Sequence, residues 1–286
     1  MTHFNQDRDH GAPFFYAWKF RSFEESAQKG PPLWSIFSDV DRPEATYNMA
    51  DTIIGYSVAA GKMVDFTLQR AGDGSVNWRE SVVCPVTGLN NRMRAAHHLF
   101  EFECKPDQQT QIYITEQTTP FYAFMKSRFP NTVGSEFMTD TPNGAENADG
   151  VRSEDLTKLT FPDQSFDCIL SFDVLEHVPD FKRALAECHR VLKDDGRAYI
   201  TVPFTFGAET LVRAKIDEGG DIIHILEPEY HGDPISNGGI LCFYHFGWSF
   251  IEDLKQAGFS DAYAAVYWDP GFGYLGVMQS IIVAVK

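Results

Sequence analysis

Phe161 to Phe204 read FPDQSFDCILSFDVLEHVPDFKRALAECHRVLKDDGRAYITVPF, and this run decides the fold. Pro162 to Ser165 is polar punctuation of the kind that marks a turn. Phe166 to Phe172 follows as a short apolar run, the length expected for a parallel strand buried on both faces. Pro179 stands where a first helical position is expected, with Asp180 and Glu187 behind it. Phe181, Ala184, Leu185, Cys188, Val191 and Leu192 then recur at helical spacing on one face. Asp194, Asp195 and Gly196 are read as the end of that helix, and Ala198 to Val202 as the next strand. The sequence therefore predicts one complete βαβ unit. Its acidic, histidine-bearing loop falls at the carboxyl end of the first strand, where open α/β sheets place their ligands.

Two stretches of this run carry a family resemblance. Asp173-Val174-Leu175-Glu176-His177-Val178, after the fourth strand, and Arg190-Val191-Leu192-Lys193 with Gly196, before the fifth, resemble class I S-adenosylmethionine-dependent methyltransferases of the type 11 kind. The resemblance extends from about Gln111 to Lys286. It implies an α/β fold with a Rossmann-like, doubly wound, seven-stranded, mostly parallel sheet. An N-terminal lid subdomain and a substrate insert after strand five belong to the same picture. The expected domains are an N-terminal lid or accessory region with a β-hairpin over residues 1–108, and a methyltransferase domain over 109–286 with its insert at 204–247. The implied cofactor is S-adenosyl-L-methionine, and the implied reaction is methyl transfer to oxygen or nitrogen of a small molecule. A non-catalytic binding or regulatory protein on this fold is one alternative. Another S-adenosyl-type transferase, such as an aminopropyl transferase, is a second, because a fold does not fix a function.

Composition sets outer bounds. A chain of 286 residues holds one large α/β domain with a subdomain, or two small domains. With 43% hydrophobic and 14% aromatic residues it can bury a sizeable core. The formal net charge of −16 argues against nonspecific binding to nucleic acid or to an anionic membrane, since neutralising phosphates takes a basic surface. Five cysteines include no C-x-x-C pair, and Thr87 stands where Cys84 would need its partner, which argues against a zinc knuckle; His224, His231 and His245 with Asp233 could bind a metal, but no spacing compels it, so the metal expectation is none. Cys168 and Cys188 read as core thiols. The start, MTHFNQDRDH, is polar, and no run of 18 apolar residues occurs, so a cytoplasmic protein is expected. The expected partner is a small-molecule acceptor, with neither nucleic acid nor membrane, and a homodimer is left open.

Residues 1–50 show no clear period. Met63 to Gln69, a glycine-bearing turn at 71–75, and Val76 to Val83 suggest a β-hairpin. Asn90 reads as the cap of a helix running to about Phe102. By the resemblance, Arg92 (or Arg94) from such a segment pairs with the methionine carboxylate of the cofactor, a task suited to guanidinium. Surface arginines on a solvated helix are the bland alternative. His97 and His98 read as surface or core residues rather than ligands.

In the cofactor half, Gln111 to Thr115 is a strand, followed by Glu116-Gln117-Thr118-Thr119-Pro120, where the family's glycine-rich turn is expected and every glycine is missing. Thr119 and Pro120 make an N-cap and first position for a helix from Phe121 to Phe129. Thr132 to Glu136 resembles the second strand ending in an acid, and Glu136 stands where a Rossmann-like fold places the carboxylate for the ribose hydroxyls. Its replacement is expected to cost cofactor affinity rather than stability. A pyrophosphate needs close backbone approach, whereas a sulfonium cofactor has no phosphate, so the lack of glycines disfavours NAD and FAD. The resemblance implies cofactor contacts from Glu116, Thr118 and Ser171 as well, and from Asp155 and Leu156 to the adenine.

Methyl transfer is an in-line displacement that rewards alignment, and a hydroxyl or amine acceptor also gains from a positioned base. His177 is the first candidate base, with Glu176 or Asp173 to orient it or line the pocket, and His231 is the second. The catalytic set is thus His177, His231 and Asp173. In the insert, Glu229-Tyr230-His231-Gly232-Asp233-Pro234 and Phe243-Tyr244-His245-Phe246-Gly247-Trp248 interleave aromatics with histidines, as suits a polar or ring-bearing acceptor. Tyr230, His231, Tyr244 and His245 are the candidate acceptor contacts. An aromatic core with hydrogen-bonded histidines is the competing reading. Finally, Ser249 and Glu252 read as a capping box, and Ala262–Trp268 and Val277–Val285 as closing strands.

Overall fold

The run from Phe166 to Phe172 is a strand buried at every position except Asp167, as its unbroken apolar character requires. It belongs to a computed structural model that describes residues 17–29, 51–232 and 238–286. In chain order the elements are β1 (Ala17–Phe20), α1 (Phe23–Lys29), β2 (Thr52–Ser57), β3 (Lys62–Leu68), β4 (Val82–Val83) and α2 (Asn91–Cys104). Then come β5 (Ile112–Ile114), α3 (Pro120–Arg128), β6 (Thr132–Gly134), β7 (Phe166–Phe172), a 3-10 turn (Leu175–His177), α4 (Phe181–Val191) and β8 (Leu192–Thr201). The insert supplies β9 (Leu211–Val212), β10 (Ala214–Ile216), β11 (Ile222–His224), β12 (Tyr230–His231), β13 (Ile240–Leu241) and β14 (Tyr244–His245). The chain closes with α5 (Ser249–Gln256), β15 (Asp261–Asp269), a 3-10 turn (Pro270–Phe272) and β16 (Tyr274–Val285). Among the described residues no helix is long and apolar enough to cross a membrane.

The chain divides into two units: residues 1–105 with 264–281, and residues 106–263 with 282–286. Residues 264–281 thus group with the first unit. The reason lies in α2. Arg94 is fully buried there, donating to the carbonyls of Phe272 and Gly273 at 2.6 and 3.2 Å, with its guanidinium 3.8 Å over the Phe66 ring. His98 packs against Phe272 at a tilt, with ring centroids 4.9 Å apart. Both histidines of the pair are buried, in line with a core reading. Asn90 caps α2 as expected, its side chain accepting from Met93 N.

The hairpin of this unit differs from the sequence reading. β3 pairs with β2 from Lys62 to Thr67, and only Val82 and Val83 of the stretch from Val76 return to it as β4. Alternate residues of β2 and β3 are buried, and Ile53, Phe66, Leu68 and Val82 form a core with Leu275. β1 lies in a segment with no clear period and pairs antiparallel with β15.

In the second unit β6, β5, β7 and β8 are parallel neighbours, and β16 runs antiparallel beside β8. The sheet is mixed, parallel across these four strands rather than throughout. Where a third parallel strand is expected, the chain makes one bridge, Glu136 to Ser153. The apolar face of α4 is buried at Phe181, Ala184, Leu185, Cys188 and Val191, and each larger side chain contributes about 1.5–3 kcal/mol. Its N-cap is Asp180, which accepts from Arg183 N, so Pro179 precedes the helix instead of opening it. β8 starts directly after the helix, at Leu192. Its register then shifts before Arg197, leaving Asp195 with φ +63° in a bulge where a helix stop was read.

The charged residues of the Arg190–Lys193 stretch have structural work. Arg190 donates to the carbonyls of Leu159 and Phe161 at 2.9 and 2.8 Å and pairs with Glu187 and Asp163. Lys193 donates to both oxygens of Asp167, and Oδ2 also accepts from Gln111 N. These bonds hold the loop before β7 and the start of β5 in place. Ser249 forms no capping box: the N-cap of α5 is Trp248, and the Ser249 hydroxyl accepts from Thr210 N at 2.9 Å. Cys84, Cys188 and Cys242 are free, but Cys168 is disulfide-bonded, against the expectation of a core thiol.

Candidate active site

The glycine-free turn after β5 is organised by an acid just beyond β6. Gln117 N, Thr118 N and the Thr118 hydroxyl all donate to Oε1 of Glu136, at 2.8, 2.8 and 2.7 Å. A nearly buried carboxylate thus satisfies two backbone donors that a glycine turn would present to a ligand. Oε2 of Glu136 receives no hydrogen bond from a described residue. Glu116 is also nearly buried, and its carboxylate accepts from the Thr119 hydroxyl at 3.5 Å. Thr119 caps α3, with Pro120 in the first turn, as the sequence predicts. Gly134 is required where it stands, because a Cβ there would lie 2.6 Å from the Tyr122 ring.

This geometry revises the expectation that Glu136 matters only to a ligand. Glu136→Ala is expected to destabilise the ligand-free protein by about 1.5–3 kcal/mol, the range for hydrogen bonds to a charged group. Glu136→Gln keeps an acceptor oxygen and should cost less. Thermal melts of the three proteins check this, and identical melting temperatures would show that the turn does not depend on Glu136.

Asp155 accepts from Thr157 N and the Thr157 hydroxyl at 2.8 and 2.7 Å, so its carboxylate closes a turn, and Leu156 beside it is buried. Ser171 is buried on β7, where its hydroxyl accepts from Thr115 at 3.0 Å and ties two strands together. Thr118 is exposed. Arg92 belongs to the first unit, where its Nε donates to Glu80 at 2.8 Å.

The reacting end is built at the carboxyl end of β7. Asp173 has φ +57°, a left-handed conformation that Asp tolerates better than most residues. Its amide donates to the Thr201 carbonyl and its carboxylate accepts from the Thr201 hydroxyl, at 2.8 and 3.0 Å, which clamps β7 to β8. The 3-10 turn that follows is stitched to the insert. Phe243 N donates to the Glu176 carbonyl at 2.7 Å, His177 Nδ1 meets the Leu241 carbonyl at 2.8 Å, and the Tyr244 hydroxyl donates to the Pro179 carbonyl at 2.5 Å. A carbonyl only accepts, so Nδ1 of His177 carries the proton and Nε2 is its basic nitrogen.

His177 and His231, far apart in sequence, meet edge to face with ring centroids 5.0 Å apart. Glu176 lies between them, with Oε1 3.5 Å from His231 Nδ1 and 3.9 Å from His177 Nε2. It is fully buried, and neither of its oxygens has a hydrogen-bond partner among the described residues. Burial holds its carboxyl up at about 7, opposed by His231 and reinforced by the Asp173 charge. Cys242 and the Glu176 carboxylate push the His231 imidazole well above its ordinary range, with Glu229 acting in the same sense. Nε2 of His231 and of His245 both face Oε1 of Glu229, at 3.0 and 3.1 Å, and Arg213 holds the other oxygen at 3.1 Å.

Tyr244 joins an aromatic cluster, its ring 4.8 Å from Phe181 and 5.7 Å from Phe246, while Tyr230 is exposed. Asp233 and Pro234 lie outside the described residues. His177, His231 and His245 of the expected residues therefore converge, directly or through Glu229. The sequence reading gives Glu176 only the part of orienting His177 or lining the pocket, and gives Glu229 no role of its own. The signal for Glu176 was its position beside His177. For Glu229 no local signal exists, since the register of the insert decides what it meets.

Residues 126–200 match the family model described as a methyltransferase domain. A probable S-adenosylmethionine-dependent methyltransferase of Mycobacterium tuberculosis (strain ATCC 25618 / H37Rv) is 38% identical over 53 residues, which are 18% of this chain and 19% of the relative. The match thus spans about a fifth of that relative's length. Among solved structures, an S-adenosylmethionine-dependent methyltransferase from Mesorhizobium loti has a TM-score of 0.40 and 16% identity, covering 67% of this chain and 98% of its own. The Burkholderia thailandensis 1,6-didemethyltoxoflavin-N1-methyltransferase, solved with 1,6-didemethyltoxoflavin and S-adenosylhomocysteine, has a TM-score of 0.39 and 16% identity, covering 68% and 81%. The stretch matched by the family model runs from the end of α3 through most of β8.

Proposed function

We propose that this chain is an S-adenosylmethionine-dependent methyltransferase acting on oxygen or nitrogen of a small molecule. The observation that carries the reading is the convergence of Glu176, His177 and His231 at the carboxyl end of β7, within the second unit. That is the edge where an open α/β sheet binds its ligand, and the segment running into it matches a methyltransferase domain.

The residues present fit the cofactor's polar groups. Oε2 of Glu136 would accept from the ribose hydroxyls while Oε1 holds the turn, and Glu116 supplies an acid for the ammonium group. Bound there, S-adenosylmethionine supplies an electrophilic methyl on sulfur. His177, whose protonated Nδ1 is fixed by Leu241, offers a basic Nε2 to an acceptor proton. Glu176 and Glu229 orient His231 from its two nitrogens. The net charge of −16 supports a small neutral or cationic acceptor over nucleic acid or anionic lipid. The test is a screen of hydroxyl- and amine-bearing compounds with methyl-labelled cofactor. Label recovered in a small-molecule product supports the reading. Purified protein that binds cofactor yet labels nothing but sulfur or carbon acceptors would overturn the choice of acceptor atom.

A further inference from the structure

Glu176 poses a problem that the proposed methyl transfer leaves open. A fully buried carboxylate with both oxygens lacking hydrogen bonds from any described residue is costly unless a charge offsets it. Two imidazole nitrogens face the same carboxylate, and one atom from each of Glu176, His177 and His231 lies within 4.8 Å of the others. Ligand atoms about 2.0–2.2 Å from a zinc ion stand about 3.3–3.6 Å apart across a tetrahedron. The observed 3.5 and 3.9 Å approaches from Glu176 to His231 Nδ1 and His177 Nε2 are already near that spacing. Small side-chain rotations close the rest.

The outer contacts follow the pattern of metal-binding histidines, which donate their second nitrogen to a carboxylate or a carbonyl. His231 Nε2 meets the Glu229 carboxylate at 3.0 Å, and His177 Nδ1 meets the Leu241 carbonyl at 2.8 Å. Each ring therefore turns its other nitrogen toward Glu176. We propose that Glu176, His177 and His231 form a site for a divalent transition-metal ion, zinc foremost, with Glu229 and the Leu241 carbonyl as its outer shell.

Two histidines and a carboxylate leave a coordination position open, as in catalytic rather than purely structural zinc sites. An oxygen of the acceptor is the ligand such a position takes, and its proton becomes easier to remove there, so that with the ion bound His177 Nε2 serves as a ligand and the metal replaces it in activating the acceptor. A neighbouring group, Glu229, Cys242 and His245, also brings its ligand atoms within 4.8 Å of one another. It is the weaker candidate, because Glu229 is already paired with Arg213 and two imidazoles, and the Cys242 thiol donates to the Tyr244 carbonyl.

The site concerns the same side chains as the proposed function but rests on their geometry. Metal binding is read on the chelator-treated full chain without cofactor or acceptor. Failure to bind metal leaves methyl transfer standing, and failure to transfer methyl leaves the metal site standing. Titration with Zn²⁺ is expected to show one equivalent per chain, lost in Glu176→Gln and in His231→Ala. Glu229→Gln should weaken binding about 10–100-fold. Co²⁺ should give visible d–d bands without a sulfur charge-transfer band, and Cys242→Ser should keep the one-equivalent stoichiometry and the d–d bands. His231 is partly exposed, so His231→Ala carries the test if Glu176→Gln does not fold. No stoichiometric binding by the wild type, or binding retained in the folded variants, overturns the proposal. A sulfur band that disappears in Cys242→Ser would move the site to the neighbouring group and overturn it as well.

Discussion

Replacing His177 or His231 by alanine is expected to lower turnover about 10²–10⁴-fold, the usual contribution of a positioned acid or base. Cofactor affinity should stay near that of the wild type. The sequence puts the two residues in separate loops and suggests separate roles, one beside the methyl group and one at the acceptor. The structure places their rings 5.0 Å apart around one buried carboxylate, which makes them a single unit. Groups that act as a unit give strongly non-additive losses. The double variant should therefore be little worse than the more damaging single one. If His231 only helps to bind the acceptor, its loss will instead raise KM and leave kcat nearly intact. Steady-state kinetics on the acceptor found in the labelled screen separates these outcomes, with melting curves to confirm that each variant is folded. Full activity in both singles and in the double would leave alignment alone to explain the rate.

Phe246→Ala is expected to destabilise the protein by about 3–5 kcal/mol, the cost of deleting a buried aromatic side chain. The ring is fully buried, with centroids 4.5 Å from Phe250 and 5.1 Å from Phe181. Its backbone joins the same fastening: Phe246 N donates to the Pro203 carbonyl and Thr205 N to the Phe246 carbonyl, both at 2.8 Å. The residue thus anchors the returning end of the insert to α4 and α5, directly behind Tyr244 and His245. A loss of this size corresponds to a fall in Tm on the order of 10 °C for a domain of this length. Phe246→Leu, which keeps most of the apolar volume, should cost much less. Unchanged melting in the alanine variant would show that the insert is held elsewhere.

What could be read from the sequence was local. The strand from Phe166 to Phe172, the apolar face of the helix behind it, the Asn90 cap and the Thr119-Pro120 helix start each depend on residues within a few positions of one another. Errors arose where a local signal had a distant competitor. Ser249 satisfies the motif for a capping box, yet its hydroxyl is used by Thr210. Asp194 to Gly196 look like a helix stop, yet the pairing of Leu192 with Phe166 has already begun a strand. Residues 264–281 read as sheet, yet Phe272 and Gly273 among them accept from Arg94, buried far away in sequence within the same unit.

The candidate site shows the same division. His177 and His231 were legible as chemistry, because histidine in a loop at a strand's carboxyl end is an ordinary place for a base. Their meeting was not legible, since it depends on Leu241 and Phe243 docking the insert onto the turn at 175–177. The double duty of Glu136 was hidden for a related reason. Its position marked it as an acid for a ribose, but nothing local shows that the absent glycines leave two amides for it to satisfy.

The central claim is that this fold still holds a sulfur-containing adenosyl cofactor although its first turn lacks glycine. Calorimetric titration of the purified protein with S-adenosylhomocysteine tests it most directly. Saturable binding is expected, with a parallel stabilisation of about 2.7 kcal/mol when the ligand is present at 100 times its Kd. NADH should give neither heat nor stabilisation. Absence of binding by S-adenosylhomocysteine and by S-adenosylmethionine at millimolar concentration would contradict the account and favour the non-catalytic alternative.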